Sequence, residues 1–257
     1  MKSLFDLTGK VAIVTGGGSG NGLGMARGLE AFGATVLIAD INDERSATAV
    51  QELQGLGSGA STALHVDVAD DDAVRGMILE TVRRYGRLDI LINNVGMNVR
   101  GTPDQLSVAD WRRVMDINLT SAFLASTLAY PEMKKVGGGK IVNIASIMAV
   151  FANPLAPAYV ASKGGMVQLT KSCAIAWAKD DIQVNAILPG FIDTDMGRDA
   201  RRAIPGLEER VVARTPAARY GQPEDLAGVA VFLCSAASDF VTGAAVVVDG
   251  GYSINGF

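Results

Sequence analysis

The chain of 257 residues holds a single histidine, His65. One histidine cannot assemble a histidine-rich metal centre. No metal site is expected, and His65 falls in an apolar strand pattern away from the polar motifs below. Cysteine is nearly as scarce. Cys173 and Cys234 stand in apolar helical stretches without metal-ligand spacing. Both are expected as buried thiols of a reducing compartment. No apolar run approaches the roughly 18 residues that a membrane span needs, and no apolar leader follows Met1-Lys2-Ser3. The expectation is a cytoplasmic protein. An excess of positive charge is also missing. A formal net charge of −4 argues against a nucleic-acid partner, which calls for a basic footprint. What the chain does have is 49% hydrophobic residues, ample for one large core and too many for intrinsic disorder.

Those apolar residues are grouped in short runs that alternate with helical patterns from one end to the other. Val11 to Val14, Thr35 to Ala39, Ala63 to Val66, Leu88 to Ile92, Ile141 to Ile144, Val184 to Leu188 and Ala244 to Val248 read as seven strands. Their near-continuous apolarity fits strands buried on both faces. Helices are expected at 22–32, 43–53 and 70–85. A long one opens at Ser107, a good N-cap with Asp110 three residues on. Another carries Tyr159 and Lys163 to about residue 179, and one more starts at Pro223. Repeated β-α-β units place parallel strands in one sheet between two helix layers. The chain is therefore expected to be α/β, a single doubly wound Rossmann domain over residues 1–257 with a seven-stranded parallel sheet.

The first strand runs into Thr15-Gly16-Gly17-Gly18-Ser19-Gly20-Asn21-Gly22. A pyrophosphate is best met by backbone N–H groups at the positive end of a helix, and side chains would block its approach. Gly16, Ser19, Gly20, Asn21 and Gly22 stand where that phosphate would lie; a flexible loop with no ligand is the alternative. Asp40 ends the second strand, 18 residues after Gly22. A carboxylate there accepts hydrogen bonds from both adenosine ribose hydroxyls and repels a 2′-phosphate. Residues 17, 18 and Ile41 offer no cation to attract one. NAD (NADH) is therefore the expected cofactor. Asp67 and Val68, after the third strand, are placed to clamp the adenine. The alternatives are that Asp40 caps the next helix or is simply solvated, and that Asp67 is a loop carboxylate capping the helix after it.

Tyr159 and Lys163 are spaced i,i+4 and share one face of a helix. A tyrosine of ordinary pKa near 10 is a poor base at neutral pH. A neighbouring ammonium is expected to lower that value, so that Tyr159 takes a proton from an alcohol or returns it to a carbonyl. Ser146, 13 residues upstream of Tyr159, is placed to hydrogen-bond the reacting oxygen. The alternative is an unremarked surface pair.

Taken together, these motifs resemble the short-chain dehydrogenase/reductase family, and the resemblance runs essentially end to end. The family's Thr-Gly-x-x-x-Gly-x-Gly falls on Thr15, Gly16, Gly20 and Gly22. Its Asn-Asn-Ala-Gly element appears as Asn93-Asn94-Val95-Gly96, and its proton-relay asparagine corresponds to Asn118. Its Pro-Gly turn and the threonine beyond, which hold the nicotinamide carboxamide, match Pro189, Gly190, Ile192 and Thr194. The resemblance implies that Asn118 holds a water linking Lys163 to solvent, and that Lys163 also binds the nicotinamide ribose. It implies a homotetramer, with the last strand and the tail Gly250 to Ile254 as the contact region. Asn21 stands where the family usually has Ile, and Val95 where it has Ala. Neither removes a reacting group.

Met97, Met148, Phe191 and Met196 flank the motifs and suggest, with Ser146 and Tyr159, a partly apolar substrate pocket. The segment 195–216 lacks clean periodicity and reads as a mobile substrate lid. Its Arg198, Arg201, Arg202, Arg210 and Arg214 either attract an anionic substrate or form a solvated helix face with Glu208 and Glu209. The function expected is an NAD-dependent oxidoreductase that interconverts a secondary alcohol and a ketone, with polyols, sugar acids or cyclic alcohols as substrates. The alternatives are a 3-oxoacyl-thioester reductase and a non-catalytic NAD-binding sensor or scaffold.

Overall fold

A computed structural model describes residues 4–57 and 60–256. The start at Met1-Lys2-Ser3, residues 58 and 59, and residue 257 lie outside it. Seven strands form one sheet: β1 (Val11–Thr15), β2 (Thr35–Asp40), β3 (Thr62–His65), β4 (Ile90–Asn93), β5 (Gly139–Ile144), β6 (Ile182–Pro189) and β7 (Ala245–Val248). Every pairing is parallel, and the spatial order is β3-β2-β1-β4-β5-β6-β7. The order reverses between β1 and β4. In a doubly wound sheet that reversal opens a crevice at the carboxyl ends of the strands.

The helices follow in chain order. They are α1 (Gly20–Ala31), α2 (Asp43–Gln54), α3 (Asp71–Tyr85), α4 (Val108–Met115), α5 (Ser121–Lys135), α6 (Pro157–Trp177), α7 (Asp195–Ala203), α8 (Leu207–Arg214) and α9 (Ala227–Cys234). Successive strand side chains point to opposite faces. Val14, Ile38 and Ile92 therefore join a core under α1 and α9 with Met25, Leu29 and Val231. Their neighbours Ile13, Leu37 and Leu91 join a second core with Met77 of α3, Ala129 of α5 and Cys173 of α6. This two-faced burial is why the strands read as continuous apolar runs. Both cysteines are buried, and burial pushes the Cys234 thiol up to about 12.

Most expected elements appear within two residues of their place. β4 starts at Ile90 rather than at residue 88; Asp89 just before it already bonds both neighbouring strands through its backbone, while its carboxylate pairs with Arg87 and Lys10. Ser107 does cap α4, accepting the Asp110 N–H at 3.0 Å. The long helix expected beyond it is interrupted. Residues Asp116–Thr120 form a π-helical turn, in which the Ser121 N–H donates to the Asp116 carbonyl five residues back. Such widened turns are rare and recur at functional sites. Pro223 opens a short 3₁₀ turn, Pro223–Leu226, that leads into α9. The segment expected as a lid folds into α7 and α8, broken at Pro205-Gly206.

Candidate active site

A cleft of about 550 Å³ runs along the carboxyl ends of the strands, from Asp40 at one end to Tyr159 at the other. Its floor at the first end is the glycine turn. Gly16 and Gly20 adopt φ values of +63° and +52°, which side chains with a Cβ rarely do. A Cβ on Gly22 would lie 2.7 Å from the Asn94 amide and closer still to the Gly16 carbonyl. Gly22 therefore shapes the turn from behind and does not line the cleft. Asn94 holds the turn against β4. Its N–H donates to Thr15 Oγ1 at 2.9 Å, and its side-chain amide donates to the Thr15 and Gly16 carbonyls at 3.0 and 3.1 Å.

Asp40 lies beside this turn. Its Oδ2 accepts the Gly18 N–H and its Oδ1 the Asn42 N–H, both at 3.0 Å. Ile41, Asp67 and Val68 line the same end, and Asp67 also accepts the Ala69 N–H at 2.9 Å. Arg45, which the sequence pattern did not single out, lines this end too. It pairs with Asp195 at 2.9 Å across the cleft.

At the other end α6 delivers Tyr159 and Lys163. Lys163 is 3% exposed, and its Nζ donates to the Ile144 carbonyl at 2.7 Å. Burial alone pulls its pKa down to about 8. Gly96 makes room for it, since a Cβ there would sit 3.3 Å from Nζ. Ser146 faces the Tyr159 hydroxyl and favours its phenolate, while its Oγ accepts the Met148 N–H at 3.1 Å. One expectation fails here. Burial pushes the Tyr159 phenol above its ordinary value, Ser146 pulls it down only in part, and the Lys163 ammonium lies 5.7 Å from the ring centre. In the protein alone, the desolvation penalty on phenolate outweighs the neighbouring cation.

Asn118 sits in the π turn and is fully buried. Its Oδ1 accepts the Met97 N–H at 2.8 Å, and its Nδ2 donates to the Met97 carbonyl and to Ser162 Oγ at 2.9 and 3.0 Å. The side chain is a strut between the β4–α4 loop and α6. Met97, expected in the pocket, is not among the lining residues; this structure uses its backbone to hold Asn118. Met148, Phe191 and Met196 do line the cleft, with Val95, Gly96, Pro189, Gly190, Ile192 and Thr194. Thr194 caps α7, accepting the Gly197 N–H at 3.2 Å. The wall also includes Asn98, Arg100 and Asn153, which lie in loops without periodicity and carried no motif.

The arginines of the segment expected as a lid are occupied. Arg198 pairs with Asp193 and Asp195, Arg201 with Asp193 and Glu208, and Arg202 with Asp199. Arg210 donates to the Pro205 carbonyl, and Arg214 lies over the Tyr252 ring at 4.7 Å. His65 is outside the cleft, bonded to Asp43 at 2.9 Å.

The cleft thus couples a glycine cradle suited to a dinucleotide to a Ser-Tyr-Lys group suited to moving a proton at a carbinol oxygen. That combination defines an oxidoreductase acting on CH–OH groups. The chain belongs to the short-chain dehydrogenase/reductase family. Residues 16–253 match the family model described as "Enoyl-(Acyl carrier protein) reductase". It is 40% identical to the 2-dehydro-3-deoxy-D-gluconate 5-dehydrogenase of Formosa agariphila, over 96% of this chain and 94% of that one. It is 39% identical to the gluconate 5-dehydrogenase of Gluconobacter oxydans, over 98% of both chains. Among solved structures, a candidate 2-deoxy-D-gluconate 3-dehydrogenase from Agrobacterium tumefaciens with bound NADP superposes with a TM-score of 0.88 at 39% identity, covering 98% of this chain and 99% of that one. A 7α-hydroxysteroid dehydrogenase complexed with NADH gives 0.92 at 35% identity, covering 96% of each. Among the described residues no helix is long and apolar enough to cross a membrane.

Proposed function

We propose that this chain is an NAD-dependent dehydrogenase that interconverts a secondary alcohol and a ketone, with a sugar acid or related polyol as substrate. The observation that carries the reading is one cleft with Asp40 and the glycine turn at one end and Ser146, Tyr159 and Lys163 at the other. When bound, the nicotinamide supplies the hydride acceptor or donor. Ser146 and Tyr159 hold the reacting oxygen. Tyr159 accepts the carbinol proton as phenolate, or as phenol donates its proton to the ketone in the reverse direction. Its raised pKa keeps the phenol protonated at neutral pH, ready to give a proton to a ketone. Lys163 is fixed beside it by Ile144, within reach of a nicotinamide ribose, and Asn118 positions both the loop and α6. The water relay through Asn118 remains part of this proposal.

Asp40 supports NAD over NADP, because its carboxylate already lies against the turn where a 2′-phosphate would come. Arg45, a cation lining the same end of the cleft, is held by Asp195. Arg100 supports an anionic substrate. It lines the cleft, and no ion pair to it forms among the described residues, in contrast to the lid arginines. A 3-oxoacyl-thioester reductase is the second reading, favoured by the apolar part of the wall, Met148, Phe191 and Met196. We further propose a homotetramer in the cytoplasm. Val247 of β7, Phe240 and Ile254 are exposed, as are Phe123 and Ile175 on the far side of the sheet, and assembly would cover them.

The test is NADH or NADPH formation followed by absorbance with D-gluconate, a neutral polyol and a cyclic alcohol, each with NAD and with NADP, and NADH or NADPH consumption with a 3-oxoacyl thioester. Preferred turnover of a polyhydroxy acid with NAD is expected. Turnover confined to 3-oxoacyl thioesters with NADPH would replace this reading by the second.

A further inference from the structure

We propose that Tyr252, in the C-terminal tail, is a positioning residue for the substrate pocket. It backs the ring of Phe191 and so sets which secondary alcohols the cleft admits; this rests on the function proposed above. Phe191 follows Pro189 and Gly190 at the end of β6. It is half-buried and lines the cleft, as do Met148 and Met196. Tyr252 and Tyr220 both meet its ring edge to face, with centroids 4.9 and 6.0 Å away. Neither tyrosine lines the cleft, so both stand behind Phe191, on the side away from it. Tyr252 also meets Phe151, in the loop after Ser146, at 6.2 Å. One ring of the tail therefore braces the loop that carries Phe191 against the loop that follows Ser146. Arg214 adds a cation over both rings, 4.7 Å from that of Tyr252 and 5.9 Å from that of Phe151.

The brace is itself anchored. The Gly250 carbonyl accepts the Ala217 N–H at 3.0 Å. Asp249 accepts the N–H groups of Gly251 and Ser253 at 2.8 and 2.7 Å. Beyond Tyr252, the Asn255 amide donates to the Arg214 carbonyl at 2.8 Å. Gly251 adopts a φ of +88°, and a Cβ there would lie 2.9 Å from Pro216. The tail is thus tied to residues 214–217 on both sides of Tyr252. The Phe191 backbone is held as well, its carbonyl accepting the Gly221 N–H at 2.9 Å. The Phe191 side chain is what remains to move, and edge-to-face contacts fix the orientation of a ring. Loss of the Tyr252 ring opens a space into which Phe191 falls back, and the cleft widens at that wall. A wider pocket holds a slim polyhydroxy acid less well and admits a bulkier alcohol.

The experiment measures kcat and KM for D-gluconate and for the bicyclic alcohol 2-decalol, with the NADH dissociation constant and Tm. The proteins are the unchanged chain, Tyr252→Leu, Tyr252→Phe, Phe191→Leu and the Tyr252→Leu/Phe191→Leu pair. Leucine keeps an apolar side chain on Phe151 and removes the ring. With Tyr252→Leu, the ratio of kcat/KM for 2-decalol to that for D-gluconate should rise at least about 10-fold, mainly through KM. Tyr252→Phe keeps the ring and should keep the ratio within about two-fold of the parent. Phe191→Leu alone shifts the ratio in the same direction, and adding Tyr252→Leu to it changes the ratio by less than about two-fold, because the two residues act as one unit. A ratio that Tyr252→Leu leaves unmoved overturns the inference, including the case in which both substrates weaken alike and Tm falls, the mark of a purely structural residue. So does an effect of Tyr252→Leu that persists in full beside Phe191→Leu, or a Phe191→Leu variant with the parent ratio. Failure of the unchanged protein to oxidise any secondary alcohol with either coenzyme overturns the proposed function and this inference with it. Turnover with an unmoved ratio overturns the inference alone.

Discussion

Replacing Lys163 by Met should abolish turnover and yet stabilise the coenzyme-free protein at neutral pH. The lysine is buried, and its pKa falls from an ordinary 10.5 to about 8. At about 1.36 kcal/mol per pH unit, that fall corresponds to about 3 kcal/mol by which the folded protein disfavours the ammonium. Removing the side chain relieves this penalty but leaves the Ile144 carbonyl without its 2.7 Å donor. That loss costs about 1–2 kcal/mol. The net gain at pH 7 is then about 1–2 kcal/mol. The sign changes with pH. The folded pKa lies below the unfolded one, so between about pH 8 and pH 10.5 the unfolded chain binds more protons, and the parent protein gains stability as pH rises. Above that window the parent no longer bears the penalty, and the variant should be the less stable of the two by about 1–2 kcal/mol. Urea unfolding of both proteins at pH 7 and near pH 10.5 reads this difference directly, because other titrations are common to both. A stability difference of the same sign and size at the two pH values would refute the burial argument.

Two further outcomes follow from the coenzyme end. Asp40→Ala removes a charged acceptor for the ribose, so the ratio of kcat/KM with NAD to that with NADP should fall about 10- to 100-fold; a parent protein that already prefers NADP would contradict the assignment. Gly22→Ala places a methyl against the Gly16 carbonyl and the Asn94 amide. NADH affinity measured by fluorescence should fall at least about 10-fold, with Tm lowered by the overpacking, and undiminished affinity would show that the turn does not cradle the dinucleotide.

Much of this architecture was legible in the residues. The paired apolar positions such as Ile13-Val14 and Leu37-Ile38 announce strands buried on both faces, and each residue of a pair goes to a different core. The glycine turn and the Tyr159–Lys163 spacing located both ends of the cleft. Other features left no trace in the pattern. Nothing in Asp116 to Thr120 marks a π turn in the sequence; the Asn118 side chain in that turn bonds Met97 and Ser162, contacts remote in sequence. Proximity along α6 suggested that Lys163 would acidify Tyr159, but the extent of burial of both groups is set by tertiary packing. Asn98, Arg100 and Arg45 lie in a loop or on a charged helix face where periodicity says nothing. Only their common cleft singles them out. The pattern left the arginines of 195–216 between an anionic substrate and a solvated face with Glu208 and Glu209; their main partners Asp193, Asp195 and Asp199 meet them only once α7 has formed.

The most direct test of the proton-transfer assignment is the Tyr159→Phe variant, which removes one hydroxyl from the end of the cleft. Turnover should drop by roughly 100-fold or more, the scale of lost acid–base catalysis, while NADH still quenches or enhances fluorescence with its original dissociation constant. Turnover at the parent rate would mean that the phenol is not the group that moves the proton, and the account of the site would fall with it.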